Sequence, residues 1–426
     1  MSPIIPLTRV CRYWRNSVIS TPENWTLIRN KGRRLAGLSL ERAKEAPLVI
    51  HLEFRLERGF LDLLRPHVQS ITSLSCEGYS VVEELAQALP HFPESTPKLR
   101  SLALEDRSSR TKWGLVDQFE FSTHTMLKEL SLSYVPLLPS ILSLRTLTKF
   151  SLCDPDFQLP LDTLLSFLEE NRSLESATFE IMFAEPSLSH SQRRTPVGNG
   201  LRHLSIMASE AANIRPLISN IALQEGATLT LELYGKGGIT EIFSGVSLMH
   251  LSNLSSPTFM EYRHSSRSIR LLGVDGCFSY NGYRDPKIPF EGFPLLPLAS
   301  VRELHLKCCG SWILADFCPS FFPSLEVLAI DRGSSISFLS PELPSSTPSP
   351  LLKTLAFLDC VITEDFMAIL AQIALHRKND VSTSLHRVVI IDSGCEFPPD
   401  ASVERLREYV PIVEVFRGKE FPKDLL

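Results

Sequence analysis

At 426 residues the chain is long enough for a large core, and 43% hydrophobic with 21% charged residues excludes a disordered polyelectrolyte. A formal net charge of −5 gives no electrostatic argument for nucleic acid as a partner, and no apolar run reaches membrane-spanning length. Nine cysteines, an odd number without a C-x-x-C pair, point to reduced thiols in a cytosolic or nuclear compartment.

The first thirty residues predict two short helices. Leu7, Val10, Cys11, Trp14 and Val18 fall on one helical stripe, with Arg9, Arg12 and Arg15 off it and in the place where a signal peptide would have its apolar core. Thr21-Pro22 ends this helix and starts another that leads to Trp25. On periodicity alone the segment is a helical cap over whatever follows. Residues 31–47 form a joint, in which GRRLAGLSLERAKEA predicts an amphipathic helix carrying Leu35, Leu38 and Ala43 before Pro47 stops it. LVIHLEF then reads as an alternating strand.

From there to the C-terminus, residues 48–426, one unit recurs. Its clearest copy is LKTLAFLDCVI, from Leu352 to Ile362, with apolar residues at places one, four and six and Cys360 at place nine. This is the leucine-rich-repeat spacing: a short strand points places four and six into a core, and a small ninth residue fits inside the bend that follows. Next comes DFMAILAQIAL, with Phe366, Ile369, Leu370 and Ile373 at helical spacing. Twelve segments fit the pattern, starting at Ile71, Leu99, Leu127, Leu147, Leu174, Leu201, Ile269, Val301, Leu325, Leu352, Leu385 and Val410. Three apolar positions coincide by chance at about 8% of sites in such a chain, so the regular spacing of the starts carries the signal, together with a charge or His at place two or three in ten of the twelve. The gap between Leu201 and Ile269 leaves room for degenerate units at TLTLELYG and FSGVSLMHL. Cys277, Cys309 and Cys360 all fall at place nine and are expected to be buried turn residues. The fold class predicted is α/β: an irregular leucine-rich-repeat solenoid with parallel strands on its concave side and helices or turns outside. Polar stretches at 185–200 and 334–350 are expected to loop out between repeats. In the second, Ser340, Thr347 and Ser349 precede Pro and are conceivable sites of proline-directed phosphorylation.

No catalytic constellation emerges. Gly235-Lys-Gly-Gly-Ile-Thr240 lacks phosphate-loop spacing, and His305, Cys308, Cys309 and Cys318 lack a second ligand pair at finger spacing, so no cofactor and no metal are expected. What remains is a surface. Places three, five and seven of each strand face outward and nominate Glu77, Glu105, Glu129, Lys149 and Glu180 in a serine-rich first half as contacts for a target protein. Later units present Val327, Ala329, Thr354, Ala356, Leu358, Val389 and Ile391, of which Val327, Leu358 and Ile391 are the chosen candidates. That apolar series is either part of the partner site or a face covered by the C-terminal segment.

LTRVCRYWRNSVISTPENWTLI, residues 7–28, resembles the second half of an F-box-like domain: a V-C-(R/K)-x-W helix, then a second Trp about ten residues on. Val10, Cys11, Arg12, Trp14, Pro22 and Trp25 carry the match. Such a segment followed by leucine-rich repeats is similar to the large F-box-like families of mushroom-forming fungi. The resemblance implies a non-enzymatic substrate-recognition subunit of a cullin-RING (SCF-type) ubiquitin ligase. Leu7, Val10, Cys11, Trp14 and Trp25 would meet the small adaptor protein, and the repeats would bind an unknown target protein. The family's opening Leu-Pro-x-E helix has no counterpart in the sequence, which implies weakened adaptor binding. On this basis residues 1–30 are a partial F-box-like module, 31–47 a connecting helix and 48–426 the repeat arc, with neither nucleic acid nor membrane as a partner. The rival is a repeat scaffold or inhibitor with no ligase role, which the same repeats would serve.

Overall fold

The computed structural model describes residues 11–53, 59–79, 85, 96–107, 126–135, 139–183, 200–246, 248, 251–282, 289–309, 319–332, 336, 339, 350–379, 384–392 and 400–417. Leu7 and Val10, most of the polar stretches 185–200 and 334–350 with Ser340, Thr347 and Ser349, and Cys318 lie outside them. The chain divides into two compact units, Met1–Ser191 with Val197–Leu201, and Arg202–Leu426 with Gln192–Pro196. Each is α/β, built on mostly parallel strands.

In the first unit, helix α1 (Arg12–Ser20) is N-capped by Cys11, whose sulfur accepts from the Trp14 amide at 3.5 Å. A 3₁₀ turn, Pro22–Trp25, follows. It buries Trp25, whose indole N–H donates to the Val18 carbonyl at 2.8 Å and whose ring lies 4.3 Å below the Arg42 guanidinium. Helix α2 (Arg33–Ala43) packs on this turn through Ala36, Ser39, Leu40 and Ala43, whereas Leu35 and Leu38 are about one-third exposed. The expected apolar face is thus rotated. Ala43 is buried as expected, but Ala36 and Leu40 complete the inward stripe and the other two leucines are left on the flank. Strands β1 (Leu27–Arg29), β2 (Leu48–Glu53), β3 (Ile71–Gly78), β4 (Ser101–Asp106), β5 (Glu129–Ser133), β6 (Lys149–Leu159) and β7 (Ser176–Phe183) lie side by side in chain order, every pair parallel. Their register stacks Leu74, Leu102, Leu130, Phe150 and Ala177 in one inward row and Cys76, Leu104, Leu132, Leu152 and Phe179 in the next, all buried. Burying each leucine contributes about 2 kcal/mol, and helix α3 (Leu161–Glu170) covers part of that face with Phe167, 4.8 Å from the Phe150 ring.

The second unit departs from chain order. Its strands are β8 (His203–Glu210), β9 (Ala227–Lys236), β10 (Pro257–Arg263), β11 (Ser268–Gly273), β12 (Gly276–Gly282), β13 (Glu303–Lys307), β14 (Val327–Asp331), β15 (Thr354–Leu358), β16 (Arg387–Asp392) and β17 (Ile412–Arg417). They are ordered β8-β9-β12-β11-β10-β13 and then sequentially to β17. Every pair is parallel except those of β11, which runs against both β10 and β12.

This inserted meander corrects the unit predicted to start at Ile269. Ile269 and Leu271 point inward by simple alternation, Val274 is 91% exposed at the β11–β12 turn, and Cys277 is a half-buried strand residue rather than a turn residue. TLTLELYG is β9 as expected. The described residues of FSGVSLMHL form no strand: a helical turn, Ile239–Phe243, ends in it, and Leu251 makes a single bridge to Leu223.

The turn after several strands has a common construction. Tyr134, Cys308, Arg332 and Asp359, each at place eight, adopt left-handed backbone with φ between 50° and 56°. Each donates its N–H to the carbonyl of the place-seven residue of the next strand, Cys153, Asp331, Leu358 and Ile391, at 2.7–2.9 Å. A left-handed non-glycine residue costs about 1–2 kcal/mol. The extra ladder bond and burial of the ninth residue, Val135, Cys309 or Cys360, offset it. The Cys360 thiol donates to the Ile330 carbonyl at 3.2 Å, and burial pushes the Cys309 thiol up to about 12. Cys309 and Cys360 are therefore expected to react with a thiol reagent only on unfolding, while Cys11 reacts at once in the native protein. Rapid native labelling of either buried thiol, read by mass spectrometry, contradicts the turn.

Outside these strands, helix α4 (Glu364–Lys378) starts at the Thr363 N-cap, which accepts from the Phe366 amide at 3.1 Å. It buries Arg377, whose guanidinium donates to the Leu352 carbonyl at 3.0 Å.

Candidate functional site

The outward face of β3–β7 forms three straight rows because the register holds through them, the one shift, between Asp154 and Gln158 of β6, falling beyond. Ser73, Ser101, Glu129, Lys149 and Ser176 make the row at the strand starts. Ser75, Ala103, Ser131, Ser151 and Thr178 make the middle row, and Glu77, Glu105, Ser133, Cys153 and Glu180 the row at the strand ends. Strand alternation places all five predicted charged residues on this face, and they fall in only two of its rows. Lys149 donates to Glu129 at 2.6 Å. That bond, with the Ser101 hydroxyl, holds the Glu129 carboxyl below its ordinary range. Arg107, which the sequence reading missed, bridges the strand-end row, 2.6 Å from Glu105 and 2.8 Å from Glu77. Its signal was present: a cation two residues beyond Glu105, in a chain whose neighbouring strand carries Glu77 in register. Burial raises the Cys153 thiol, and the nearby Glu180 and Glu105 carboxylates raise it further. A shallow groove of about 240 Å³ lies over β4–β7 between the strand-start row, with Ser101, Glu129, Lys149 and Ser176, and the middle row from Ala103 to Thr178.

In the second unit the equivalent face is different. His305, Ala329, Ala356 and Val389 form the middle row, and Lys307, Asp331, Leu358, Ile391 and Phe416 the strand-end row. Ala329, Ala356, Val389 and Ile391 are buried together, with Leu358 and Phe416 packed against them. Val327 and Leu358 are half-buried, but Ile391 is only 7% exposed and is not open to a partner. A charged margin flanks this apolar cluster at β10–β14. Glu261 accepts from Lys307 at 2.6 Å and Arg263 at 3.4 Å, and His305 lies 2.7 Å from Glu303 and edge-on to Phe259. Burial raises the Asp331 carboxyl, and the Asp359 charge adds to this.

Of the N-terminal candidates, Cys11 and Trp14 are exposed, Trp14 by 50% and its neighbour Tyr13 by 76%. Trp25 is used internally. Gly235 lies in β9 with Ser209 backbone against it, a close-packing glycine. Among the described residues no three His, Cys, Asp or Glu side chains gather in a metal-binding group, and no helix is long and apolar enough to cross a membrane.

No family model matches the chain, and a search of curated proteins finds no match. The class defined by the structure itself is an α/β protein with long, mostly parallel strand arrays, whose first unit presents an ordered, solvent-facing strand surface.

Proposed function

We propose that the chain is a non-enzymatic substrate-recognition subunit of a cullin-RING ubiquitin ligase. In this reading the two strand arrays are an irregular leucine-rich-repeat solenoid and α1 is an F-box-like docking helix. The outward face of β3–β7 is where a target protein sits. The observation that carries the reading is the contrast between two tryptophans of one motif. Trp25 is consumed by the fold, whereas Trp14 stands half-exposed beside Tyr13 on a helix with only Val18 buried. A large aromatic left partly in water on a short helix is the kind of residue that anchors an interface.

Titration of purified cullin-RING adaptor against the full chain and a Trp14→Ala variant tests it. Removing such an anchor is expected to weaken binding by about thirtyfold or more, with unchanged thermal unfolding because Trp14 supports little of the core. Equal adaptor affinity for both forms, or none for either, removes the ligase reading and leaves a scaffold.

A further inference from the structure

The inserted meander changes what the outward face of the second unit carries. Met260 and Tyr262 of β10 and Ile269 and Leu271 of β11 are buried, so alternation sends Glu261, Arg263 and Arg270 outward. Burial of Leu304 and Leu306 does the same for Lys307 of β13. The register sets Arg270 across from Glu261 and Arg263 across from Lys307. Neighbouring strands lie about 4.8 Å apart and successive outward residues about 7 Å, so three cations stand around one carboxylate.

That carboxylate leaves most of their donors unused. Glu261 accepts from Lys307 at 2.6 Å and, at the long distance of 3.4 Å, from one nitrogen of Arg263. Arg270, on its other side, is exposed and makes no ion pair among the described residues, so a guanidinium with five N–H donors has no acceptor. The next carboxylates along these strands have cations or imidazole of their own: Glu303 lies 2.7 Å from His305, and Asp331 lies 3.8 Å from Arg332. Arg267, at the β10–β11 turn, adds to the positive field, since its charge joins burial in holding the His264 imidazole below its ordinary range.

We propose that Arg270, backed by Arg263 and Lys307, receives a carboxylate from an acidic, Asp- or Glu-bearing segment of a partner protein. Arg270 offers the two parallel N–H bonds that a carboxylate takes, and Arg263 and Lys307 meet the next acidic side chain along the segment. A nucleic acid suits this face less well. The net charge of −5 repels a long polyanion, and among the described residues of β10–β13 no aromatic side chain is exposed for a base to stack on. The site is carried by the second unit and does not depend on the ligase reading.

The probes are three short fluorescent peptides, alternating Glu and Ser, Lys and Ser, or Gly and Ser, and a single-stranded oligonucleotide matched in charge to the first. Each is titrated against the full chain by anisotropy at low and moderate salt. The Glu–Ser peptide is expected to bind, more weakly as salt rises, and to bind more tightly than the other three. Arg270→Gln should weaken it about fivefold and Arg270→Glu more than tenfold, with unfolding midpoints unchanged because the side chain supports no contact. Arg302→Gln removes an equally exposed cation without an ion pair at the entry to β13, and should leave binding as it is. Equal losses in Arg270→Gln and Arg302→Gln would mean a general charge effect and overturn the site. So would binding of none of the probes, a Lys–Ser peptide that binds as well as Glu–Ser, or an oligonucleotide that binds more tightly.

Discussion

A Leu304→Asp variant is expected to lose about 4 kcal/mol or more of stability and to accumulate unfolded. Leu304 is fully buried in β13, in register between Met260 of β10 and Leu328 of β14, so a carboxylate there has neither water nor a cation to meet it. Thr354→Ala, on the outward face of β15, should stay within about 0.5 kcal/mol of the parent. Urea unfolding of the two variants measures the contrast. A soluble Leu304→Asp protein with an unshifted midpoint would contradict the assignment of places four and six to the core.

The second large effect tests the meander of the second unit. At Gly276 the backbone has φ +141°, and an added Cβ would come within 2.3 Å of the Ala227 carbonyl oxygen of β9 and 2.8 Å of Asn253 Cβ. Neither neighbour is the free end of a flexible side chain, so Gly276→Ala should push β12 away from β9 and cost about 3 kcal/mol. Gly226→Ala is the control: φ is +80° but nothing lies within 4 Å of the new methyl, so only the backbone cost of about 1 kcal/mol applies. Equal losses at the two sites would mean that β12 does not lie against β9.

The strands that were legible in the sequence share one property. In units such as Leu99–Leu102–Leu104 or Leu352–Leu355–Phe357, the entry residue and the two inward residues are all apolar, and strand alternation leaves no freedom about direction. The β10–β12 segment failed because an antiparallel insertion shows the same alternation without the entry residue, so Ile269, Leu272 and Val274 matched the template by accident. The Asp275-Gly276 pair at the reversal was the available hairpin signal.

The outward rows of the first unit were readable for the same reason as the core. What direction cannot reveal is what lies beside a residue. Ile391 points outward in β16 yet is buried with Ala329, Ala356 and Val389, and Arg107 bridges Glu77 and Glu105 although it lies just past its strand. Trp14 and Trp25 were likewise alike as motif residues. Only the bond from the Trp25 indole to Val18 and the Arg42 contact separate the one used by the fold from the one left at the surface.

The proposal that one chain joins a target to a ubiquitin-ligase adaptor is tested by affinity capture of the full chain from its native cell extract, beside the Trp14→Ala and Ser131→Tyr variants. The expected result is that the parent chain brings down the cullin-RING adaptor together with a target protein, that Trp14→Ala loses only the adaptor, and that Ser131→Tyr, on the outward face of β5, loses only the target. Capture of a target by the parent chain with no adaptor would contradict the claim, as would loss of both partners in either folded variant.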